Sequence, residues 1–195
     1  MLLQLWAGVF YSLNKVFFCG AERSVGKRER MFRILAWASY LVGMPAWFIW
    51  FVLNHNLMLA GAEAGGAAAM VLGIITAVKG QGKEPLWLPW VARVSAGVGF
   101  LLSVWYFRGF NSVSQALELT VIGGFLLGAN LLAQERRSGY LWFVVMNGSN
   151  AVLQAMQGSP LLFGQQIMSI GFVLDAYRMS GRKQAEIVVH GPRAA

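Results

Sequence analysis

Asn147, Asn150 and Gln154 recur at i, i+3 and i+7, so on a helix they share one face. Trp142 and Ser149 stand beside them, and Gln165 and Gln166 follow shortly after. Amides inside an apolar segment have two uses. They bond one helix to another, or they hydrogen-bond a neutral polar ligand such as a sugar hydroxyl or a carboxamide. Left unpaired, each is costly to bury. The expected substrate-binding set is Asn147, Asn150, Gln154 and Gln166, with Trp47 as a stacking face and Glu63 and Glu118 as a counter-charge or polar wall. Ordinary packing or anchoring is the alternative for Trp47, and contact with the wet interface is the alternative for the two carboxylates. Asp175 reads as an i,i+3 partner of Arg178 at a membrane edge.

Nothing in the chain predicts covalent chemistry. It lacks a Gly-x-Ser-x-Gly elbow, a His-Glu-x-x-His pair and a phosphate-binding loop. The glycine-rich stretch 61–66 lies inside an apolar run with no following Lys-Ser or Lys-Thr. One cysteine, Cys19, permits no intrachain disulfide, and the two histidines, His55 and His190, are far apart in sequence. An enzyme is not expected, nor a metal or another cofactor.

The elements that carry these residues are long apolar runs. Of 195 residues, 57% are hydrophobic and 12% charged, about half the charged fraction of a soluble domain. The hydropathy predicts an all-α, polytopic membrane protein with seven transmembrane helices, at 2–20, 32–54, 57–78, 86–106, 113–133, 139–157 and 160–178. No basic region precedes the first run, so it reads as a retained helix and not a cleaved signal. Asn54-His55-Asn56 and Gly158-Ser159 make tight hairpin joints. The small residues from Gly61 to Ala69 suit a helix in the interior of the bundle. Pro45 is expected to bend the second span.

The net charge of +8 does not mark a nucleic-acid partner, because the basic residues fall between the apolar runs. Arg23, Lys27, Arg28, Arg30, Arg33, Lys79, Lys83, Arg136, Arg137, Arg178, Arg182, Lys183 and Arg193 all lie in or beside connections of one side. Arg108 alone lies on the other, and Lys15 and Arg93 fall within spans. Positive charge stays in the cytoplasm. The expected topology is therefore N-terminus outside and C-terminus cytoplasmic, in a multi-pass protein of the cell membrane, most simply a bacterial inner membrane.

A shift of 103 positions lays the second and third spans on the sixth and seventh without a gap. Gly61 then meets Gly164, Glu63 meets Gln166, Lys79 meets Arg182 and Trp37 meets Tyr140. This predicts a parallel repeat in a 3+1+3 plan: a first triplet over 1–79, a linker helix within 80–110, a second triplet over 111–183 and a cytoplasmic tail over 184–195. Three helices end on the side opposite their start, so a parallel second triplet needs one extra crossing.

From Gly128 to Arg182 the chain runs Leu131-Leu132-Ala133-Gln134, Arg136-Arg137, Tyr140-Leu141-Trp142, Asn147, Gly158 and a basic end. This stretch resembles the C-terminal half of PnuC-type vitamin transporters, which are similar in their 3+1+3 plan to the SWEET sugar transporters. The resemblance implies facilitated diffusion of nicotinamide riboside. The seventh span departs from that pattern, with Asp175-Ala176-Tyr177-Arg178-Met179 where the family has a Gly-aromatic-x-x-Trp ending, and no Pro-Gln pair stands anywhere. The expected function is a facilitative, alternating-access transporter of a small polar metabolite. The alternative is a non-transporting inner-membrane subunit or assembly protein whose amides bond helices together. The expected partners are a small-molecule substrate and the lipid bilayer, with a homo-oligomer left open.

Overall fold

The computed structural model describes residues 2–53, 57–107, 113–156, 158 and 160–190. The protein is all-helical, and seven helices form among the described residues: α1 (Leu2–Glu22), α2 (Gly26–Leu53), α3 (Leu57–Lys79), α4 (Trp87–Phe107), α5 (Val113–Ala133), α6 (Ser138–Met156) and α7 (Pro160–His190). The joint at 54–56, Ser159, the connection bearing Arg108 and the end of the chain bearing Arg193 lie outside the described residues.

Three segments, Gly26–Leu53, Leu59–Lys79 and Val113–Ala133, are long and apolar enough to cross a membrane, and Trp87–Leu102 is a shorter apolar helix. The amides of α6 and α7 lower the hydropathy of those two helices. Two helices outrun their expected spans. α2 starts at Gly26, six residues before the apolar run, and takes Lys27 to Arg30 into its first turns. α7 continues past residue 178 to His190, so most of the expected tail is helix.

Packing follows a regular plan. α1 lies on α2, α2 on α3, and α3 on α5; α5 lies on α6, α6 on α7, and α7 on α1. α4 packs on α3 and α5. Its other face leaves Trp87, Trp90, Val94, Val98, Leu101 and Trp105 exposed.

Glycine sets the closest approaches. A Cβ on Gly139 would lie 2.8 Å from the Gly128 carbonyl oxygen, so α5 and α6 meet backbone to backbone. Gly73 gives its space to the Trp37 indole, whose atoms come within 2.2 Å of where a Cβ would stand. Phe18 of α1 sits edge-on to two rings, Trp37 of α2 at 5.1 Å and Tyr140 of α6 at 6.2 Å between centroids. α5 ends in a Schellman-type turn. Glu135 takes φ 57°, with its own N–H donating to Leu132 O and that of Arg136 donating to Leu131 O, each at 2.9 Å.

One end of the bundle is ionic. Arg33 of α2 donates to Glu22 of α1 and to Glu29, both at 3.1 Å. Lys183 of α7 pairs with Glu29 and donates to Ser24 O at 2.9 Å. Tyr140 of α6 donates to Glu22 at 2.8 Å. Asp175 binds Arg23 of α1 at 2.8 Å. This corrects the expected pairing with Arg178: the packing of α1 on α7 brings the Arg23 guanidinium to the carboxylate instead. Arg30 donates to Val78 O, and Arg93 donates to Gln134 Oε1 at 3.3 Å.

Candidate functional site

The interior between α1, α3, α6 and α7 holds polar side chains that an apolar bundle has no packing reason to bury. Asn14, Lys15, Asn147, Gln166 and Ser169 are all nearly inaccessible. α1 supplies Tyr11, Asn14 and Lys15. Tyr11 and Asn14 are one turn apart, and Lys15 is four residues from Tyr11, so all three share one face of the helix. Tyr11 donates to Asn147 Oδ1 at 2.7 Å, and the Ser169 hydroxyl reaches the same phenolic oxygen. Asn147 Nδ2 donates to Phe143 O of its own helix at 2.6 Å. Asn14 Nδ2 donates to Ala36 O at 2.9 Å. Protein groups therefore use both ends of the Asn147 amide and the donor of Asn14.

Other atoms of the cluster have no such partner. Lys15 Nζ, Asn14 Oδ1, Glu63 Oε2 and Gln166 Oε1 are buried without a hydrogen bond. The Lys15 ammonium lies 4.2 Å from the Phe143 ring centroid and 4.6 Å from that of Tyr11. Aromatic faces attract a cation but offer it no lone pair. Glu63 of α3 acts electrostatically on Lys15, Tyr11 and Tyr40, yet no ion pair joins Glu63 to Lys15 among the described residues. Lys15 lines a cavity of about 10 Å³ with Phe18, Tyr140, Phe143, Phe172 and Val173, room for about one water.

The sequence-predicted residues divide. Asn147, Glu63 and Gln166 fall within or beside this cluster. Asn150 and Gln154 bond to each other along α6, Gln154 Nε2 donating at 3.2 Å, and Gln154 Oε1 is left buried and unmet. Trp47 is half-buried and stacks on Phe51 at 5.4 Å. Glu118 is half-buried on α5, outside the cluster. The antiparallel contacts Gly128–Gly139 and Gly124–Met146 put it near the level of Asn150.

Sequence reasoning passed over Tyr11, Lys15, Tyr40 and Ser169 as site residues. For Lys15 a signal existed: a lone lysine in the middle of an apolar run is costly there and calls for a partner. For Tyr11, Tyr40 and Ser169 no local pattern distinguishes a buried hydroxyl in the cluster from one at a helix surface.

A second cavity, of about 280 Å³, opens at the ionic end among Arg30, Arg33, Thr76, Lys79, Gln81 and Glu135. Among the described residues no group of histidine, cysteine and carboxylate side chains is placed to hold a metal ion. Cys19, the free cysteine, is buried, and its Sγ donates to Phe172 O at 3.1 Å. Comparison with known protein families, with curated proteins and with solved structures finds no match to this chain.

Proposed function

We propose that this protein is a membrane-embedded facilitative transporter. Its substrate would be a small polar metabolite: nicotinamide riboside or a related vitamin or nucleoside, as the resemblance to PnuC-type transporters implies. The observation that carries the reading is the buried cluster of Tyr11, Asn14, Lys15, Glu63, Asn147 and Gln166, with four polar atoms unmet, inside a bundle whose outer face is apolar. Polar groups at such depth are expensive and mark a substrate path more often than a scaffold.

A 3+1+3 arrangement fits the packing. Exchange α1 for α5, α2 for α6 and α3 for α7, and the observed helix neighbours map onto one another, the α3·α5 contact becoming α7·α1. Ala36 and Gly139 are 103 positions apart. The carbonyl of the first accepts from Asn14 of α1, and that of the second stands at 3.2 Å from where a Cβ of Gly128 of α5 would be. Trp37 and Tyr140, also 103 apart, both face Phe18. The transport step is one triplet rocking against the other around the cluster. The Glu22–Arg33–Glu29–Lys183 network then holds the ionic end closed in the conformation described, and its pairs must separate for the substrate to leave on that side.

The basic residues gathered at that end favour a cytoplasmic position for it. Reporter fusions after Asn56 and Ser159 are expected to score as external, and fusions after Lys27 and Lys183 as cytoplasmic. A cytoplasmic signal at Asn56 with an external one at Lys183 overturns the topology.

The decisive experiment is uptake of labelled nicotinamide riboside by liposomes containing the purified chain alone. Asn147→Ala removes the acceptor of the Tyr11 hydroxyl and should lower uptake by about tenfold. It should also cost stability, since Asn147 is fully buried. Asn150→Ala, at a half-buried site, should lower uptake only a few-fold with an unchanged melting temperature. If uptake in both variants merely follows the folded fraction, the amides join helices and the non-transporting subunit becomes the better reading.

A further inference from the structure

We propose that the buried cluster receives a small organic carboxylate and that Lys15 binds its anionic oxygen. The inference rests on the transport reading above and narrows its substrate class.

Lys15 is 3% exposed. An ammonium carries three donors and no acceptor, and none of the three finds a lone pair in the protein. The cavity it lines is otherwise hydrocarbon and aromatic: Phe18, Tyr140, Phe143, Phe172, Val173 and Ala176. Among the described residues Glu63, which acts on it electrostatically, forms no ion pair with it. In the conformation described the cavity has room for about one water; once the triplets rock apart, the acceptor that completes this ammonium is the ligand's. A carboxylate is the acceptor that gains most in such a place, because a hydrogen bond between two ionised groups is roughly twice as strong as a neutral one.

The rest of the cluster specifies the other end of the ligand. Glu63 Oε2, Gln166 Oε1 and Asn14 Oδ1 are acceptors without donors. They call for hydroxyls, N–H groups or positive charge. A ligand with a carboxylate at one end and hydroxyl or N–H donors at the other meets both the Lys15 donors and these acceptors. Tyr11 and Phe143, the aromatic faces nearest the centre, already carry the Lys15 charge and do not stand free for a cationic ring. Between two otherwise identical ligands, one ending in a carboxamide and one in a carboxylate, the cluster selects the acid.

Nicotinate riboside and nicotinamide riboside are such a pair, and both can be offered to the full chain. Affinity is measured on the purified protein and uptake on the reconstituted protein, for wild type, Lys15→Met and Lys15→Arg. The expected result is that wild type binds the acid roughly tenfold to a hundredfold more tightly than the amide. Lys15→Met should abolish that preference, and Lys15→Arg should retain part of it. Wild type that binds or carries the amide as well as the acid overturns the inference and leaves the transport reading standing. So does a Lys15→Met protein that keeps the preference. Neither riboside bound nor carried removes the transport reading, and the inference falls with it. Should Lys15→Met fail to fold, the wild-type preference and Lys15→Arg still decide.

Discussion

Gly139→Ala should sharply destabilise the protein, and Gly148→Ala should stabilise it. Both replace glycine by the best helix former on the same helix, a change worth about 1 kcal/mol in the helix itself. At Gly148 the new methyl meets nothing within 4 Å, so that gain stands alone. At Gly139 it would lie 2.8 Å from Gly128 O and 2.8 Å from Leu132 N. Both are backbone atoms of α5 and cannot swing away as a side chain end can. The helices must part, and Phe143, wedged against Gly128 from the same side, loses its seat. Overpacking of this kind costs about 1–3 kcal/mol or more, enough to reverse the propensity gain. Thermal unfolding of the purified proteins checks the pair. A Gly139→Ala protein melting at or above wild type shows that α5 and α6 do not meet as described.

The second large effect is expected at Glu22. Its side chain is 2% exposed and accepts from Arg33 and Tyr140, which belong to α2 and α6. Removing one partner of a buried pair costs about 3–5 kcal/mol, because the other charge stays buried. Here Glu29 remains beside Arg33, so the lower part of that range applies to Glu22→Leu. The functional consequence is separable from the stability one in Glu22→Gln, which keeps the shape and one acceptor oxygen. If the network closes the ionic end, Glu22→Gln moves the population toward the form open on that side. Cys19 lies one turn before Glu22 and is buried beside Phe172. Its alkylation by a membrane-impermeant maleimide added on the side of the ionic end should then rise several-fold in the variant. An unchanged rate, with transport also unchanged, shows that the network is not a gate.

How much of this was legible in the sequence depends on the range over which the information acts. The seven helices were, because long apolar runs, Gly-rich joints and basic flanks are local signals. The helix ends were less so. Lys27 to Arg30 and the stretch after Arg178 read as connections by hydropathy, yet polar residues continue a helix readily where one is already nucleated, and Lys183 has a partner on α2 to hold it there. Asn147 was legible as a buried amide because it sits in an i, i+3, i+7 pattern. Its acceptor role toward Tyr11 was not, since the two are 136 residues apart and no periodicity connects them. Asp175 went to Arg23 across 152 residues for the same reason: local spacing proposed Arg178, and tertiary packing supplied a better-placed guanidinium. Lys15 was visible as a charge in an apolar run, but Phe143, one of the two rings of its seat, lies on α6, which only the folded bundle brings to it.

The separation of α1 from its partners has a consequence for biosynthesis. α1 leaves the ribosome first, and Tyr11, Cys19, Arg23 and Ser24 wait for Asn147, Phe172, Asp175 and Lys183. At roughly 5–20 residues per second, synthesis of the intervening chain takes about 7–27 s at the least. Throughout that interval Lys15 lacks Phe143 and the α6 and α7 walls of its cavity. On the membrane reading proposed above, a lysine at the centre of α1 is disfavoured by about 2.5–3.5 kcal/mol as the helix inserts. α2 offers early relief through the Asn14–Ala36 bond and the Trp6–Val42 bond, both available once the first hairpin exists. The first helix is therefore the last to be fully housed, held in the meantime by α2, and the closing event of assembly is the arrival of α6 and α7 around it.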